Sequence, residues 1–365
     1  MRIGGEAFRT IWPNADGAVC VVDQTALPHD LRILTLETWQ DAAAAIRDMI
    51  VRGAPLIGVA GAYGLALAAR ADGAESAIAA AHDALLKTRP TAVNLRWALE
   101  RMRARLLLAP EGARRETAYA EAAVIAEEDV ARCEAVGDFG AALILDAARR
   151  NPGRPVNILT HCNAGWLCAV DWGTALAPIY KAARAGVELH VWVDETRPRN
   201  QGASLTAFEL LGENVPHTVV ADNTGGHLMQ RGLVDLVIVG SDRTTRTGDV
   251  ANKIGTYLKA LAAWDNGVPF YAALPSSTID WRLGDGVADI PIEERSPREV
   301  THIAGRAESG DIVEVRLTPA GSPARNYGFD VTPARLVTRL ITERGVCAAK
   351  EGAICALFPD LSGPS

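Results

Sequence analysis

The sequence predicts an α/β protein: a doubly wound parallel sheet in the C-terminal part, behind a smaller N-terminal part of a β-hairpin and a helical bundle. Three observations predict it. From Pro155 to about Leu274 the chain repeats short apolar strand, polar turn and helical segment at least five times, the cadence of parallel strands joined by helices. Between Thr38 and Arg150 apolar residues instead recur at three- and four-residue spacing, which is helical. At the start, β-like segments at residues 8–13 and 18–23 flank Asn14-Ala15-Asp16-Gly17, a turn sequence that predicts a hairpin.

The helical part divides into segments at residues 38–49, 56–71, 75–88, 91–108 and a long alanine-rich stretch at 115–150. The domain boundary is expected inside that stretch, near residue 133, giving units 1–133 and 134–365. Gly58, Gly61 and Gly64 lie on one narrow stripe of the second helix and read as a close packing surface. Beyond Asp280, loops and edge strands lead to a helix predicted over 332–344, opened by Thr332-Pro333 as N-cap and first-turn proline. The tail after Gly345 carries no signal.

Composition narrows the function. Hydrophobic residues at 48% and charged residues at 22% describe a soluble globular protein. A net charge of −7 argues against a nucleic-acid partner but leaves room for a local basic pocket. Met1-Arg2-Ile3-Gly4-Gly5-Glu6 has no apolar core and is not a signal peptide. The apolar run at residues 56–69 is short and rich in Gly and Ala, a packed helix and not a membrane span. The six cysteines are scattered without a CxxC, as expected for reduced thiols in the cytoplasm.

In a parallel sheet the ligand crevice lies beyond the carboxyl ends of the strands. There the chain places His161-Cys162-Asn163, then Asp194-Glu195-Thr196 with Gln201-Gly202, then Asp222-Asn223, and last Ser241-Asp242-Arg243 ahead of Asn252-Lys253. Cys162 sits where helix amides would favour a thiolate. Cys168, in an apolar stretch, reads as a buried hydrophobe. His161, Cys162 and Cys168 lack the spacing of zinc ligands, so no metal is expected. Asp242, at the mouth of a dry crevice, suits a general acid with a raised pKa; Arg243 turned inward would oppose that, and an N-cap or salt bridge is the competing role. Arg52-Gly53-Ala54-Pro55 opens a helix with free amides suited to phosphate, and Lys253 offers a second positive charge. No GxGxxG follows a strand and no GxxxxGK[ST] occurs, so neither dinucleotide nor nucleoside triphosphate is expected as cofactor. A small phosphorylated substrate fits best.

Five blocks carry a resemblance. Ile46-Arg47-Asp48-Met49-Ile50-Val51-Arg52-Gly53-Ala54-Pro55, Thr88-Arg89-Pro90-Thr91-Ala92-Val93-Asn94-Leu95 and Leu159-Thr160-His161-Cys162-Asn163-Ala164-Gly165 resemble the methylthioribose-1-phosphate isomerase family. So do Asp194-Glu195-Thr196-Arg197-Pro198-Arg199-Asn200-Gln201-Gly202 and Gly248-Asp249-Val250-Ala251-Asn252-Lys253-Ile254-Gly255-Thr256-Tyr257. The resemblance implies a homodimer with a Rossmann-like C-terminal domain. It also implies aldose–ketose isomerisation of 5-methylthioribose 1-phosphate in methionine salvage, with neither cofactor nor metal and with no nucleic-acid or membrane partner. Carried over by motif, Cys162 and Asp242 are the expected catalytic pair, and Arg52, Gly53, Ala54, Arg89, Gln201, Asn252 and Lys253 the expected substrate ligands. Isomerases of 5-deoxyribose 1-phosphate or ribose 1,5-bisphosphate are the alternatives. So is a non-catalytic regulatory subunit of the initiation-factor exchange complex, although such a subunit need not keep both Cys162 and Asp242. Trp166, Cys168, residues 224–227 and residues 244–246 depart from the family's pattern and lie just beyond strand ends, on the rim that should face the sugar's C5 substituent. Trp166 would give that rim an apolar wall, while a solvent-facing His227 and a solvated loop charge at Arg246 are favoured over basic groups turned into the pocket.

Overall fold

The computed structural model describes residues 1–3 and 5–361. Strands Ile11–Pro13 and Val19–Val22 form the hairpin, with Ile11 opposite Val21, and Asn14 closes the turn by accepting the Asp16 and Ala18 N–H groups. A third strand, Ile33–Leu36, completes this small antiparallel sheet. Helices Trp39–Arg47, Ala54–Ala71, Glu75–Thr88, Val93–Leu107 and Arg114–Arg150 follow. The first starts where it does because Thr38 and Asp41 cap each other's backbone N–H groups. Ala54–Ala71 is long and apolar enough to cross a membrane, but its sides are buried among its neighbours. Its glycine stripe is a packing surface: a Cβ on Gly58 would stand 2.9 Å from the Asn94 carbonyl oxygen, and one on Gly64 3.0 Å from Leu85.

The long helix Arg114–Arg150 serves two cores. Its apolar side chains up to Ala126 join the helical bundle, and those from Cys133 onward pack under the large sheet. Buried within it, Asp129 accepts one backbone N–H, from Val170 at 2.8 Å. Burial raises its pKa to about 6. The folded state therefore favours the acid form: this contribution is fully present below the unfolded value near pH 4 and is lost as the pH rises through about 6. Asp129→Asn, which keeps an acceptor for Val170, is expected to gain roughly 3 kcal/mol on wild type between pH 4 and pH 8. Denaturant titrations at both pH values check this; an equal difference at both would show that Asp129 does not carry it.

The large sheet runs Gly345–Cys347, Arg339–Thr342, Phe270–Ala273, Leu236–Val239, Val156–Thr160, Leu189–Asp194, His217–Val220. Every neighbouring pair is parallel except the first. Numbered along the chain from Val156–Thr160, the parallel strands lie in the order 6-5-4-1-2-3, the doubly wound arrangement. The order reverses between Val156–Thr160 and Leu236–Val239.

One expected element is wrong. Residues 332–344 are not a helix: strand Phe329–Thr332 pairs with Val250–Lys253, a 3-10 turn covers Ala334–Leu336, and Arg339–Thr342 joins the large sheet beside Phe270–Ala273. Val331, Thr332, Val337, Thr338, Ile341 and Thr342 are β-branched and stiff at χ1, and Leu340 and Ile341 are both fully buried, as a two-sided inner strand requires. Asp249, and not Thr332, accepts the Ala334 N–H at 2.8 Å. The tail forms the edge strand Gly345–Cys347 and helix Glu351–Leu357.

Candidate active site

Where neighbouring strands send their connections to opposite faces of a sheet, a crevice opens beyond their carboxyl ends. Val156–Thr160 and Leu236–Val239 are such neighbours, with Ile158 opposite Leu236. Cys162 stands just past the first and Asp242 just past the second. The start of helix Ala54–Ala71 brings Arg52 and Gly53 from the helical side, and Arg89 arrives at the end of Glu75–Thr88. Strand Val250–Lys253 supplies Asn252 and Lys253, and Gln201 precedes a turn of π-helix at Gly202–Thr206. All nine expected site residues, Ala54 included, line one cavity.

The backbone is bent to achieve this. Cys162 has φ +66, Thr196 φ +67 and Asn200 φ +54, conformations that cost side-chain-bearing residues of order 1–3 kcal/mol each. Hydrogen bonds hold Cys162 there: its N–H donates to Thr196 Oγ1 at 2.8 Å, and its carbonyl accepts from Thr206 Oγ1 at 2.7 Å. Gly53, at φ +93, has no room for a side chain, since a Cβ would lie 2.6 Å from the Cys168 Cα.

Three buried cations face the cavity. Arg52 has no acid partner within ion-pair distance among the described residues; its two terminal nitrogens hold the Asn163 side-chain and main-chain oxygens, the latter at 2.7 Å. Lys253 likewise lacks an acid partner and stands 4.7 Å from the centre of the Phe329 ring. Arg89 pairs with Glu293 at 3.1 Å, but its Nε and Nη1 are buried without a partner. Donors left unpaired in a cavity suit an anion with several oxygens. Burial pushes the Lys253 ammonium below its ordinary pKa, with Cys162 and Asp242 opposing.

Asp242 is half-buried, and its carboxyl makes no hydrogen bond to a described residue, so it caps nothing. Burial in the cavity wall raises its pKa, opposed by Lys253, Arg52 and Arg89. Arg243 turns away, 3.8 Å from Asp280. Cys162 corrects the sequence reading. Only the 3-10 turn Trp166–Cys168 follows its strand closely, and the next helix along the chain, Leu176–Arg184, starts farther on. Burial raises the thiol pKa despite Arg52 and Lys253, and the S–H donates to Gln201 Oε1 at 3.4 Å. Burial thus works against the thiolate that the sequence suggested.

The expected C5 rim is corrected at Trp166, while His227 and Arg246 stay out of the pocket as expected. Of those positions only Cys168 lines the cavity. Trp166 is fully buried in the core, His227 is exposed on helix Thr224–Gln230, and Arg246 pairs with Glu351. Proximity to a strand end does not settle which way a side chain turns. Met49, Ile57 and Phe329, which do line the cavity, escaped sequence reasoning, and Asn163, placed at the crevice, was given no role there. His161, Asp194 and Asp222 come close enough to suggest a metal cluster, but the Lys259 ammonium already sits 3.2 Å from Asp194 and donates to the Asp222 carbonyl. That donor set holds its own cation and does not fit a metal.

Residues 50–349 match the model of the initiation factor 2 subunit family. The chain is 63% identical over 361 residues to methylthioribose-1-phosphate isomerase of Methylorubrum extorquens, covering 99% of both chains. It is 59% identical to the protein of that name in Rhizobium meliloti, covering 99% of this chain and 100% of the relative. Among solved structures it is similar to 5-methylthioribose 1-phosphate isomerase from Pyrococcus horikoshii, with TM-score 0.82, 38% identity and 97% of each chain covered. It is also similar to a protein titled translation initiation factor eIF-2B, subunit delta, from A. fulgidus, with TM-score 0.80, 38% identity, and 97% of this chain and 100% of that one covered. Matched end to end at this identity, the chain belongs to the methylthioribose-1-phosphate isomerases of the initiation factor 2 subunit family.

Proposed function

We propose that this chain converts 5-methylthio-α-D-ribose 1-phosphate to 5-methylthio-D-ribulose 1-phosphate, with Asp242 and Cys162 as catalytic residues. The observation that carries this is the pairing, across the reversal point of the sheet, of a carboxyl with a raised pKa and a buried thiol, beside three cations with donors to spare. Arg52, Arg89 and Lys253 hold the phosphate. Asn252, Gln201 and the backbone at Gly53 and Ala54 fix the sugar.

A sugar 1-phosphate has no free aldehyde, so the ring opens first. Asp242, protonated, gives its proton to the ring oxygen as the bond from that oxygen to C1 breaks. Hydrogen then moves from C2 to C1. Because burial works against a thiolate at Cys162, we favour a hydride shift: hydrogen leaves C2 with its electron pair, and the C2 hydroxyl becomes a carbonyl. Asp242, now ionised, takes the hydroxyl proton and is ready for another cycle. Cys162, bonded to Gln201, supplies an uncharged wall beside the migrating hydrogen. The bundle of residues 1–133 and the sheet unit of residues 134–365, joined through helix Arg114–Arg150, enclose the reaction against water, and the working form is a homodimer.

A panel of pentose 1-phosphates differing only at C5 tests this. The apolar cavity residues Met49, Ile57 and Phe329 suit a methylthio or methyl end. The 5-methylthio and 5-deoxy substrates are expected within about a hundredfold of each other in kcat/KM, the limit of discrimination by an apolar pocket. A strong preference for ribose 1,5-bisphosphate would withdraw the salvage assignment. Tight binding of every member without turnover would favour a regulatory subunit.

A further inference from the structure

Glu209 has no part in that reaction, yet it is 1% exposed and takes four hydrogen bonds. Its Oε1 accepts from Asn163 Nδ2 at 2.8 Å and the Leu167 N–H at 3.0 Å. Its Oε2 accepts from the Trp166 N–H at 2.8 Å and the Tyr180 hydroxyl at 2.7 Å. Gly165 makes room for it, because a Cβ there would overlap the carboxylate. Burial pushes its pKa up to about 7, against the pull of those donors.

Asn163 links this carboxylate to the cavity. The two ends of a side-chain amide are alike in size and opposite in hydrogen-bonding sense, so its neighbours decide which way it points. Nδ2 of Asn163 faces Glu209 and, at 3.2 Å, Thr206 Oγ1, whose own proton is committed to the Cys162 carbonyl. Oδ1 must therefore face the other way, toward Arg52 Nη1, while the Asn163 carbonyl takes Nη2. Reversed, the amide would set its NH₂ against a guanidinium.

We propose that Glu209 is a positioning residue for the anion site: by choosing which end of the Asn163 amide meets Arg52, it aims an otherwise unpaired guanidinium at the substrate's phosphate. The proposal rests on the reading of Arg52 as a phosphate ligand.

Glu209→Gln keeps the size of the side chain but turns one acceptor into a donor, so that one neighbour must lose its bond or flip. Binding of inorganic phosphate, measured by titration calorimetry, and the steady-state constants are the readouts. The phosphate Kd and the KM are expected to rise by about tenfold or more, with kcat at saturation within about threefold. Asn163→Ala should show the same loss, and the double variant no further loss, because both act through one contact. Tyr180→Phe, which removes a donor to Glu209 but leaves Asn163 in place, should lower the melting temperature without moving the phosphate Kd. Wild-type phosphate affinity in Glu209→Gln or Asn163→Ala, or an equal loss in Tyr180→Phe, overturns the proposal. If Glu209→Gln does not fold, the other two variants decide. Phosphate binding is independent of the sugar turned over: a chain that isomerises nothing but loses phosphate in these variants sinks the isomerase reading alone, and the converse result sinks the positioning role alone.

Discussion

Asp242→Asn is expected to lower kcat by roughly a hundredfold or more while KM moves only a few-fold, because a group that gives and recovers a proton matters far more in the transition state than in binding. The amide preserves the shape of a half-buried side chain that makes no hydrogen bond to a described residue, so little else should change. Cys162→Ser is expected to act on kcat in the same way, since it exchanges a weakly polar S–H for a strongly hydrated O–H beside Gln201. Turnover assays with 5-methylthioribose 1-phosphate, backed by calorimetric binding, check both. Near-normal turnover in either variant removes that residue from the mechanism.

Lys253→Met is expected to have two effects that one series of pH-dependent kinetics separates. Methionine keeps the bulk against Phe329 but leaves the substrate's phosphate one buried cation short, and losing a partner of a buried charge costs about 2–5 kcal/mol, so KM should rise at least about thirtyfold. The second effect is on titration. Burial raises the pKa of Asp242, and Lys253 is first among the cations holding it down. An acid catalyst works below its pKa and is lost as the pH rises through it. Removing Lys253 leaves burial less opposed, so the alkaline limb of kcat/KM should move to higher pH. Cys162, which Lys253 also faces, shifts the same way. A limb that stays in place or moves down would mean that another group supplies the proton.

The elements that read well from sequence were those whose signal is local. Helical spacing from Thr38 to Met49 and from Glu75 to Thr88, and the turn at Asn14-Ala15-Asp16-Gly17, depend on residues within a few positions of one another, and the structure has each. The 332–344 helix failed because its start signal was local and its true partner was not: strand Phe270–Ala273 lies far back along the chain and offered a two-sided apolar slot that β-branched residues fill. The third strand of the small sheet went unseen for a similar reason, since Ile33–Leu36 alternates weakly and is held by pairing with Val19–Val22.

The candidate site divides along the same line. That Cys162 and Asp242 would meet followed from the chain itself, because connections leave a parallel sheet at its carboxyl ends and strands one and four flank its reversal point. That Arg52, Arg89 and Lys253 are cations was equally plain. Their pairing was not. Whether a buried guanidinium meets a carboxylate or an amide depends on which distant elements pack beside it, and only the folded chain puts Glu293 against Arg89 and Asn163 against Arg52. Protonation lay further still from sequence. The strand-to-helix position of Cys162 pointed to a thiolate, but charge state is set by the water that packing removes, and burial in the cavity wall favours the uncharged thiol. Residue types and strand order thus determined which groups come together; burial and long-range contacts decided which are charged, which are paired and which remain free to bind.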